Sequence, residues 1–554
     1  MLNKMKSAFG KKTIIVLFLI ALTIECRSQV SQEWEQRYNG SGNSVDEASS
    51  MAVDAAGNVY VTGYSVGSGT NGDYVTIKYN SAGVQQWVGV YNGPVNGPDE
   101  AHSIAVDAAG NVYVAGSSLG NGTGADYLTI KYNSTGVQQW AVRYNGSGNV
   151  PDEAYSVAVD AAGNVYVTGK STGNGTGADY VTIKYNAAGV QQWAQRYNGP
   201  GNDVDRTNTI AVDAAGNVYV TGYSVGSGTG DDYATIKYTA AGNIQWIQRY
   251  NGPGNNLDRA NTIAVDAAGN VYVTGSSTGN GTNTDYATIK YGSTGVPLWI
   301  QRYNGPPGDG FDGVRAMAID AEGNVYVTGH SQEGGVLTDN DYATIKYSSA
   351  GVQQWIQRYH GYSTGSNIAT SIAVDISGNV YITGESEGLI SGRDYATIKY
   401  NSTGVQQWIK RYNGPSNGVD GANSMAIDTS GNVYVTGFST GLGTNIDYQT
   451  IKYSQPIGIT PISTEVPEGF SLWQNYPNPF NPKTNVRIQM PNSGFVKLAV
   501  FDISGKEVAV LVNENLSAGT YNVDFDASHL ASGTYFYRLE TGSFAEVKKM
   551  VLIK

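Results

Sequence analysis

The chain has 554 residues, including 72 glycines and 40 tyrosines, and only 14% of it is charged. The formal charge of −12 and the even scatter of Lys and Arg argue against a nucleic-acid partner, which needs clustered cations to neutralise phosphates. Abundant aromatic residues between glycine-rich turns exclude a disordered chain and favour strands, and the length exceeds one ordinary core.

Residues 1–28 read as an export signal. Lys4, Lys6, Lys11 and Lys12 supply the positive start, and Thr13–Ile24 is an apolar run of twelve residues, too short to cross a bilayer comfortably. Cleavage after Ser28 removes Cys26, the one cysteine in the sequence. A lipoprotein signal needs a small residue just before that cysteine, and Glu25 stands there instead. The mature chain then has no disulfide, no thiolate nucleophile and no zinc–thiolate site.

Residues 29–453 repeat. The segment Val-Asp-x-x-Gly-Asn-Val-Tyr, with small changes, places its aspartate at Asp54, Asp107, Asp160, Asp213, Asp266, Asp320, Asp375 and Asp428, spaced by 53 to 55 residues. Within residues 99–151 the pattern predicts strands over Ser103–Val106, Val112–Gly116, Tyr127–Tyr132 and Val137–Tyr144. Tight turns lie at Asp107–Asn111 and Asn133–Gly136, where glycine and Asx residues supply the φ > 0 positions of hairpins. Four short strands per period of about fifty residues make one propeller blade. Eight sets imply an eight-bladed β-propeller.

The phase of the repeat bears on closure. Fourth-strand tryptophans stand at Trp34, Trp87, Trp140, Trp193, Trp246, Trp299, Trp355 and Trp408. The first precedes any first strand, and the last repeat ends at Tyr453 without one. The Trp34 strand is therefore expected to complete the last blade, which removes an exposed sheet edge. Strand parity puts both tight turns on one face and the long loops, Ser117–Asp126 and Asn145–Ala154, on the other. Long polar loops on a rigid scaffold are where binding is sought first.

The stretch Ile210-Ala-Val-Asp213-Ala-Ala-Gly216-Asn217-Val-Tyr-Val-Thr-Gly222 resembles the bacterial β-propeller repeat family of exported proteins, and the resemblance runs over residues 30–453. It implies the fold and carries no catalytic assignment.

Residues 454–469, with Pro456, Pro461 and Pro467, read as a linker. Residues 470–554 alternate over Val496–Phe501, Thr520–Phe525, Thr534–Leu539 and Val547–Ile553, which predicts a small immunoglobulin-like β-sandwich. This segment resembles the C-terminal sorting domain of type IX secretion substrates. The residues that carry the likeness are Asn475, Pro477, Asn478, Pro479, Gly505, Gly519, Gly533, Tyr535, Lys548 and Lys549. The resemblance implies the type IX secretion machinery as partner, and a secreted or cell-surface location in a Gram-negative bacterium. Attachment there is by anchoring to the outer-membrane surface, without a transmembrane segment.

Chemistry is sparse. His102, His330, His360 and His529 are too scattered for a metal cluster or triad, and no phosphate loop or His-Glu-x-x-His occurs. One position recurs with functional potential, eight residues before each turn aspartate: Asp46, Asp99, Asp152, Asp205, Asp258, Asp312, Asn367 and Asp420. Just before the first strands, these residues could cap the entering loop, or form a ligand collar or cation site at the channel mouth. Oxygen-only ligands would suit Ca²⁺, the one cofactor the sequence suggests. The turn aspartates read as hairpin caps. Repeats six and seven diverge at Glu333–Asp341, His360–Asn367 and Glu385–Arg393. These features predict an exported binding or structural module with an extracellular glycan or protein ligand. A propeller hydrolase or lyase acting on polysaccharide is the alternative.

Overall fold

The computed structural model describes residues 30–554 except 174, 307–309, 333–339, 363–364, 456–458, 464, 528–529 and 543. The export signal, His529 and most of the divergent loop Glu333–Asp341 lie outside the described residues. Every described regular element is a strand, and the strands form ten four-stranded sheets with antiparallel pairing. The chain divides into two compact units, one over Gln29–Gln455 and one that includes Pro456–Lys554.

The first unit is a β-propeller of eight sheets. Seven are built from consecutive strands, as in Asp99–Val106, Val112–Gly120, Gly124–Tyr132 and Gln138–Tyr144. The eighth combines Asp420–Ile427, Val433–Thr440 and Ile446–Ser454 with Ser31–Tyr38 from the other end of the chain. Arg37 lies opposite Gln449, and Tyr38 opposite Tyr448, so the termini of the repeat region share one ladder. First strands neighbour one another from sheet to sheet all the way round, and therefore line the centre of the ring. Fourth strands are the outermost and most exposed, as in the run Gln85–Tyr91.

A single tyrosine locks each sheet to the next. Tyr74, Tyr127, Tyr180, Tyr233, Tyr286, Tyr342, Tyr395 and Tyr448, all buried, donate their hydroxyls to a third-strand carbonyl of the following sheet at 3.1–3.4 Å. The last of these, Tyr448 to the Val75 carbonyl, closes the ring. Glycine on the second strand lets the first-strand backbone pass closely, and at Gly63 and Gly116 it also makes room for the tyrosine hydroxyl. A Cβ on Gly63 would stand 2.0 Å from the Glu47 carbonyl and 2.8 Å from the Tyr448 hydroxyl. At the rim, seven tryptophans from Trp34 to Trp355 donate Nε1 to a turn carbonyl of the next sheet at 3.1–3.3 Å. Lys78 and its equivalents likewise cross to the next sheet, Lys78 Nζ reaching the Ser134 carbonyl at 3.2 Å over the ring of Tyr60.

The second unit packs two sheets around one core. Ile459–Ser463, Gly519–Asp526, Lys483–Met490 and Ser471–Leu472 make one sheet; Glu507–Leu516, Gly494–Phe501, Gly533–Thr541 and Phe544–Leu552 make the other. Val486, Ile488, Leu498, Val500, Tyr537, Leu539 and Met550 fill the space between. The linker expected over residues 454–469 is corrected here. Ser454 ends a propeller strand, and Ile459–Ser463 is an edge strand paired with Gly519–Asp526. Its β-branched residues suit a strand, and an edge position tolerates Pro461 because no ladder donor is missed there.

Closure by the first strand yields a direct test. Removing Val30–Tyr38 should lower Tm by at least about 5 °C and expose the edge of Ile446–Ser454, producing oligomers on size exclusion. An unchanged melt and a clean monomer would contradict the closing role of that strand.

Candidate functional site

The recurrent aspartates and Asn367 are buried and cap their own loops. Asp46, Asp99, Asp152, Asp205, Asp258, Asp312, Asn367 and Asp420 are all at most 1% exposed, and each turns back into its own loop. One carboxylate oxygen of each aspartate accepts from a glycine N–H six or seven residues earlier, at 2.5–2.7 Å. In most sheets the other oxygen meets the backbone N–H twenty residues on, as Asp205 does from Val225 at 3.2 Å. Asn367 fits the same socket: its Oδ1 accepts from Ser386 and Glu387, and its Nδ2 donates to two carbonyls. In this structure all eight therefore serve as loop caps, the first of the two roles the sequence allows. Among the described residues, no group of three or more His, Cys, Asp or Glu side chains is placed to hold a metal.

Two classes of aspartate differ in charge behaviour. Burial pushes the carboxyls of Asp46, Asp152, Asp205, Asp258, Asp312 and Asp420 up. The turn aspartates Asp54, Asp107, Asp160, Asp213, Asp266 and Asp320 behave oppositely. Burial opposes the charge of Asp213, but hydrogen bonds from Asn217, Tyr219 and the backbone outweigh it and hold the carboxyl below its usual range. Four donors meet that carboxylate: Ala215 N, Asn217 N, Asn217 Nδ2 and the Tyr219 hydroxyl, at 2.8–3.0 Å.

The ring centre carries the diversity that the repeat otherwise suppresses. Directly after the capping position, the first strands present Glu47, Glu100, Glu153, Arg206, Arg259, Gly313, Ile368 and Gly421. Two residues further on stand Ser49, His102, Tyr155, Asn208, Asn261, Arg315, Thr370 and Asn423. Three adjacent sheets thus offer glutamates, and the next three offer Arg206, Arg259 and Arg315. Burial and the charges of Glu153 and Glu47 push the Glu100 carboxyl up. Glu153 is held low despite its burial, by the Tyr155 hydroxyl at 2.5 Å and Lys170 at 3.1 Å. Arg206 lies 3.9 Å from the centre of the Tyr155 ring, and Arg259 lies over Tyr223 while pairing with Asp231 at 2.6 Å. His330 packs over Gly313, where a Cβ would come within 2.3 Å, and burial with Arg315 nearby lowers its pKa to about 4. Sequence reasoning passed over these positions. Their signal was available as the places where near-identical repeats disagree.

The divergent loops are less open than expected. Arg393 pairs with Glu385 at 2.5 Å, and His360 Nδ1 lies 2.7 Å from Asp341 Oδ2.

In the C-terminal unit, the sorting residues fall into two groups. Asn475 is buried, accepts at Oδ1 from Gln474 Nε2 at 2.8 Å, and donates Nδ2 to the Thr484 hydroxyl at 3.0 Å and the Pro477 carbonyl at 3.1 Å. Asn478 Oδ1 accepts from Val551 N at 2.9 Å, and the Tyr535 hydroxyl donates to the Ala531 carbonyl at 2.8 Å. Gly505, at φ +83°, takes left-handed turn geometry, whereas Gly519, at φ +154°, and Gly533 each open a strand. Lys548 pairs with Glu546 at 3.0 Å. Tyr476, 82% exposed, together with exposed Pro477, Pro479 and Lys549, faces outward.

Comparison with known proteins agrees with both units. The beta-propeller repeat model matches residues 33–69, 90–122, 139–175, 192–228, 245–281, 354–390 and 407–443, and the secretion system C-terminal sorting domain matches 474–554. The chain is a propeller-repeat protein with a type IX sorting domain. The seven repeat matches pass over the sheet that begins at Asp312, which nonetheless has the same four strands. An uncharacterized WD repeat-containing protein of Acanthamoeba polyphaga mimivirus is 26% identical over 71% of this chain, and the chain spans only 29% of that protein. Among solved structures, PorZ, a surface component of the type IX secretion system of Porphyromonas gingivalis, is 15% identical with a TM-score of 0.40. That match covers 90% of this propeller-repeat protein and 64% of PorZ. A protein of unknown function from Dyadobacter fermentans is 11% identical with a TM-score of 0.37, over 77% of this chain and 99% of that one.

The two aspartate classes predict opposite pH signatures. Asp213→Asn should cost about 2 kcal/mol at pH 7, because an amide cannot accept from all four donors. Its folded carboxyl is depressed, so that contribution exists above the unfolded pKa, roughly 4, and fades as pH falls through the folded value. Asp205→Asn should stay within about 1 kcal/mol at pH 7, given the precedent of Asn367. A raised folded pKa gives stability that is complete in acid and lost as pH rises, so this variant should compare worse with the parent at pH 3 than at pH 7. Ca²⁺ should leave Tm unchanged in both. Chemical denaturation across pH checks the signs, and a calcium-dependent Tm lost in Asp205→Asn would restore the collar.

Proposed function

We propose that this protein is a binding module delivered to the cell surface by the type IX machinery, and that it captures a charged extracellular glycan at the ring centre. The observation that carries the reading is the broken symmetry of the first strands. Positions that build the ring repeat almost without change, whereas Glu47, Glu100 and Glu153 face a following arc of Arg206, Arg259 and Arg315. An acidic arc beside a basic one on a rigid frame suits a ligand bearing both charged and hydroxyl groups, which the arginines bind in bidentate fashion. Tyr155 and Tyr223, already stacked by arginines, add flat apolar surface.

Export follows from the C-terminal domain. We infer that exposed Tyr476, Pro477, Pro479 and Lys549 meet the secretion machinery, while buried Asn475 and Asn478 shape the loop that presents them. Residues 1–28 serve the first membrane crossing and are removed. After delivery the protein is held at the outer surface by anchoring.

The binding reading is tested on a glycan array with the secreted protein beside Glu100→Gln and Arg206→Gln. Hits should weaken about tenfold in each variant, about 1.4 kcal/mol, with melting unchanged. Equal binding by parent and variants would sink the ring-centre site, and selective capture of a protein ligand instead would overturn the glycan. For export, deletion of 474–554 should leave a folded propeller in the periplasm. Surface delivery of the truncated protein would overturn the sorting role.

A further inference from the structure

One ion pair of the propeller is missing from one sheet. In seven sheets a fourth-strand arginine reaches the buried aspartate that opens the third strand: Arg37, Arg143, Arg196, Arg249, Arg302, Arg358 and Arg411, at 2.7–3.1 Å. Each guanidinium has further acceptors around it. Arg249 donates to the Ser224 hydroxyl at 2.6 Å, the Ser224 carbonyl at 2.8 Å and, in the preceding sheet, the Tyr197 hydroxyl at 3.1 Å. Arg37 repeats the set on Ser439 and Tyr412.

In the sheet of residues 46–91 the arginine is replaced by Val90, which is 57% exposed. The backbone is otherwise in register: Val90 lies opposite Val75 as Arg143 lies opposite Leu128. The acceptors remain. Asp73 is 5% exposed and takes one hydrogen bond, from the Thr70 hydroxyl at 2.8 Å to Oδ2; its Oδ1 has no partner, as in counterparts such as Asp126, Asp179 and Asp232, so what Asp73 lacks is the guanidinium at Oδ2. Tyr38 from the preceding sheet hydrogen-bonds with Ser65 and feels the charges of Asp46 and Asp73. Burial and the charge of Asp99 push the Asp73 carboxyl up. Among the described residues no lysine or arginine pairs with Asp73. A buried carboxylate in this state is costly, and a planar cation that fits three acceptors at once relieves it.

We propose that the Asp73–Ser65–Tyr38 position binds a guanidinium group brought by another molecule, entering beside Val90 and occupying the place that seven arginines hold elsewhere in the ring. The ligand class is an arginine side chain of a partner polypeptide or the free amino acid. A lysine serves poorly, because a strongly hydrated point charge does not match the forked set of acceptors. The inference stands independently of the ring-centre glycan reading.

The test uses the full secreted protein and thermal melting at matched ionic strength. The blocked peptide Ac-Gly-Arg-Gly-NH2 should raise Tm by about 1–2 °C at about 10 mM, and Ac-Gly-Lys-Gly-NH2 should not. Val90→Arg should raise Tm on its own and abolish the response; Asp73→Asn should abolish it as well. Arg196→Val, which opens a second such position, should enlarge the response. Free L-arginine, run in parallel, separates the two sources: a response as large as the peptide's assigns the amino acid, and a weaker one assigns a polypeptide. Equal responses to the arginine and lysine peptides, or a response that survives in Val90→Arg, would overturn the proposal.

Discussion

Eight buried tyrosine hydroxyls, each donated to a carbonyl of the following sheet, hold the ring together, and most other features follow from making that contact possible. At Gly63 and Gly116 the hydroxyl arrives where a second-strand side chain would otherwise stand, and at all eight equivalent glycines a Cβ would also meet the first-strand carbonyl at 1.9–2.0 Å. A hydrogen bond of this kind contributes only about 1 kcal/mol net, but leaving the carbonyl or hydroxyl unpaired in a dry interface costs more. Each sheet therefore selects its neighbour through the polar group it must satisfy, and apolar burial supplies the bulk of the stability. Because the bond from Tyr448 reaches Val75, the same contact that joins neighbours also joins the ends.

This economy explains why so much of the fold was legible in the sequence. Strand period, tight turns and the phase of the tryptophans are local or strictly repeated, so they survive without knowledge of the partner. Val-Asp followed by Gly-Asn-Val-Tyr encodes a turn whose aspartate gathers four donors within six residues, as at Asp213. The misreadings lie where the partner is distant. Ile459–Ser463 looks like linker because its prolines are conspicuous, while its ladder is supplied by Gly519–Asp526, some sixty residues later. The capping aspartates could not be told from ligands for a similar reason. Their donors, a glycine N–H six or seven residues earlier and a serine opposite on the second strand, meet the carboxylate only once the loop has folded back, which the residue pattern alone does not show.

Repetition also changes where function is to be sought. In a chain whose sheets are nearly interchangeable, a residue present in all of them is held by packing, capping or the tyrosine contact. Positions that differ between sheets are released from those duties. The first and third residues after each capping position are such positions, and they place glutamates and arginines in separate arcs of one ring. Val90 is another, since it stands alone against seven arginines. Neither departure follows from the fold itself, because the sheets that carry it keep the same register and the same closing contacts.

Rigidity links these departures to recognition. With Cys26 the one cysteine of the sequence, no disulfide can form within the chain, so the geometry of the ring depends on closure and on the interlocked tyrosines. A frame of this kind fixes its first strands before any ligand arrives, which lowers the ordering penalty of binding. Charged groups set in such a frame do not relax toward one another as they would on loops. Glu100 illustrates the consequence: neighbouring Glu47 and Glu153 raise its proton affinity, and the backbone offers no movement that would separate them. The ring holds these carboxyls side by side, so positive charge or hydrogen-bond donors brought to that arc would be favoured by a field already in place. The same reasoning applies at Asp73, where a buried carboxylate has lost the arginine that its seven counterparts keep.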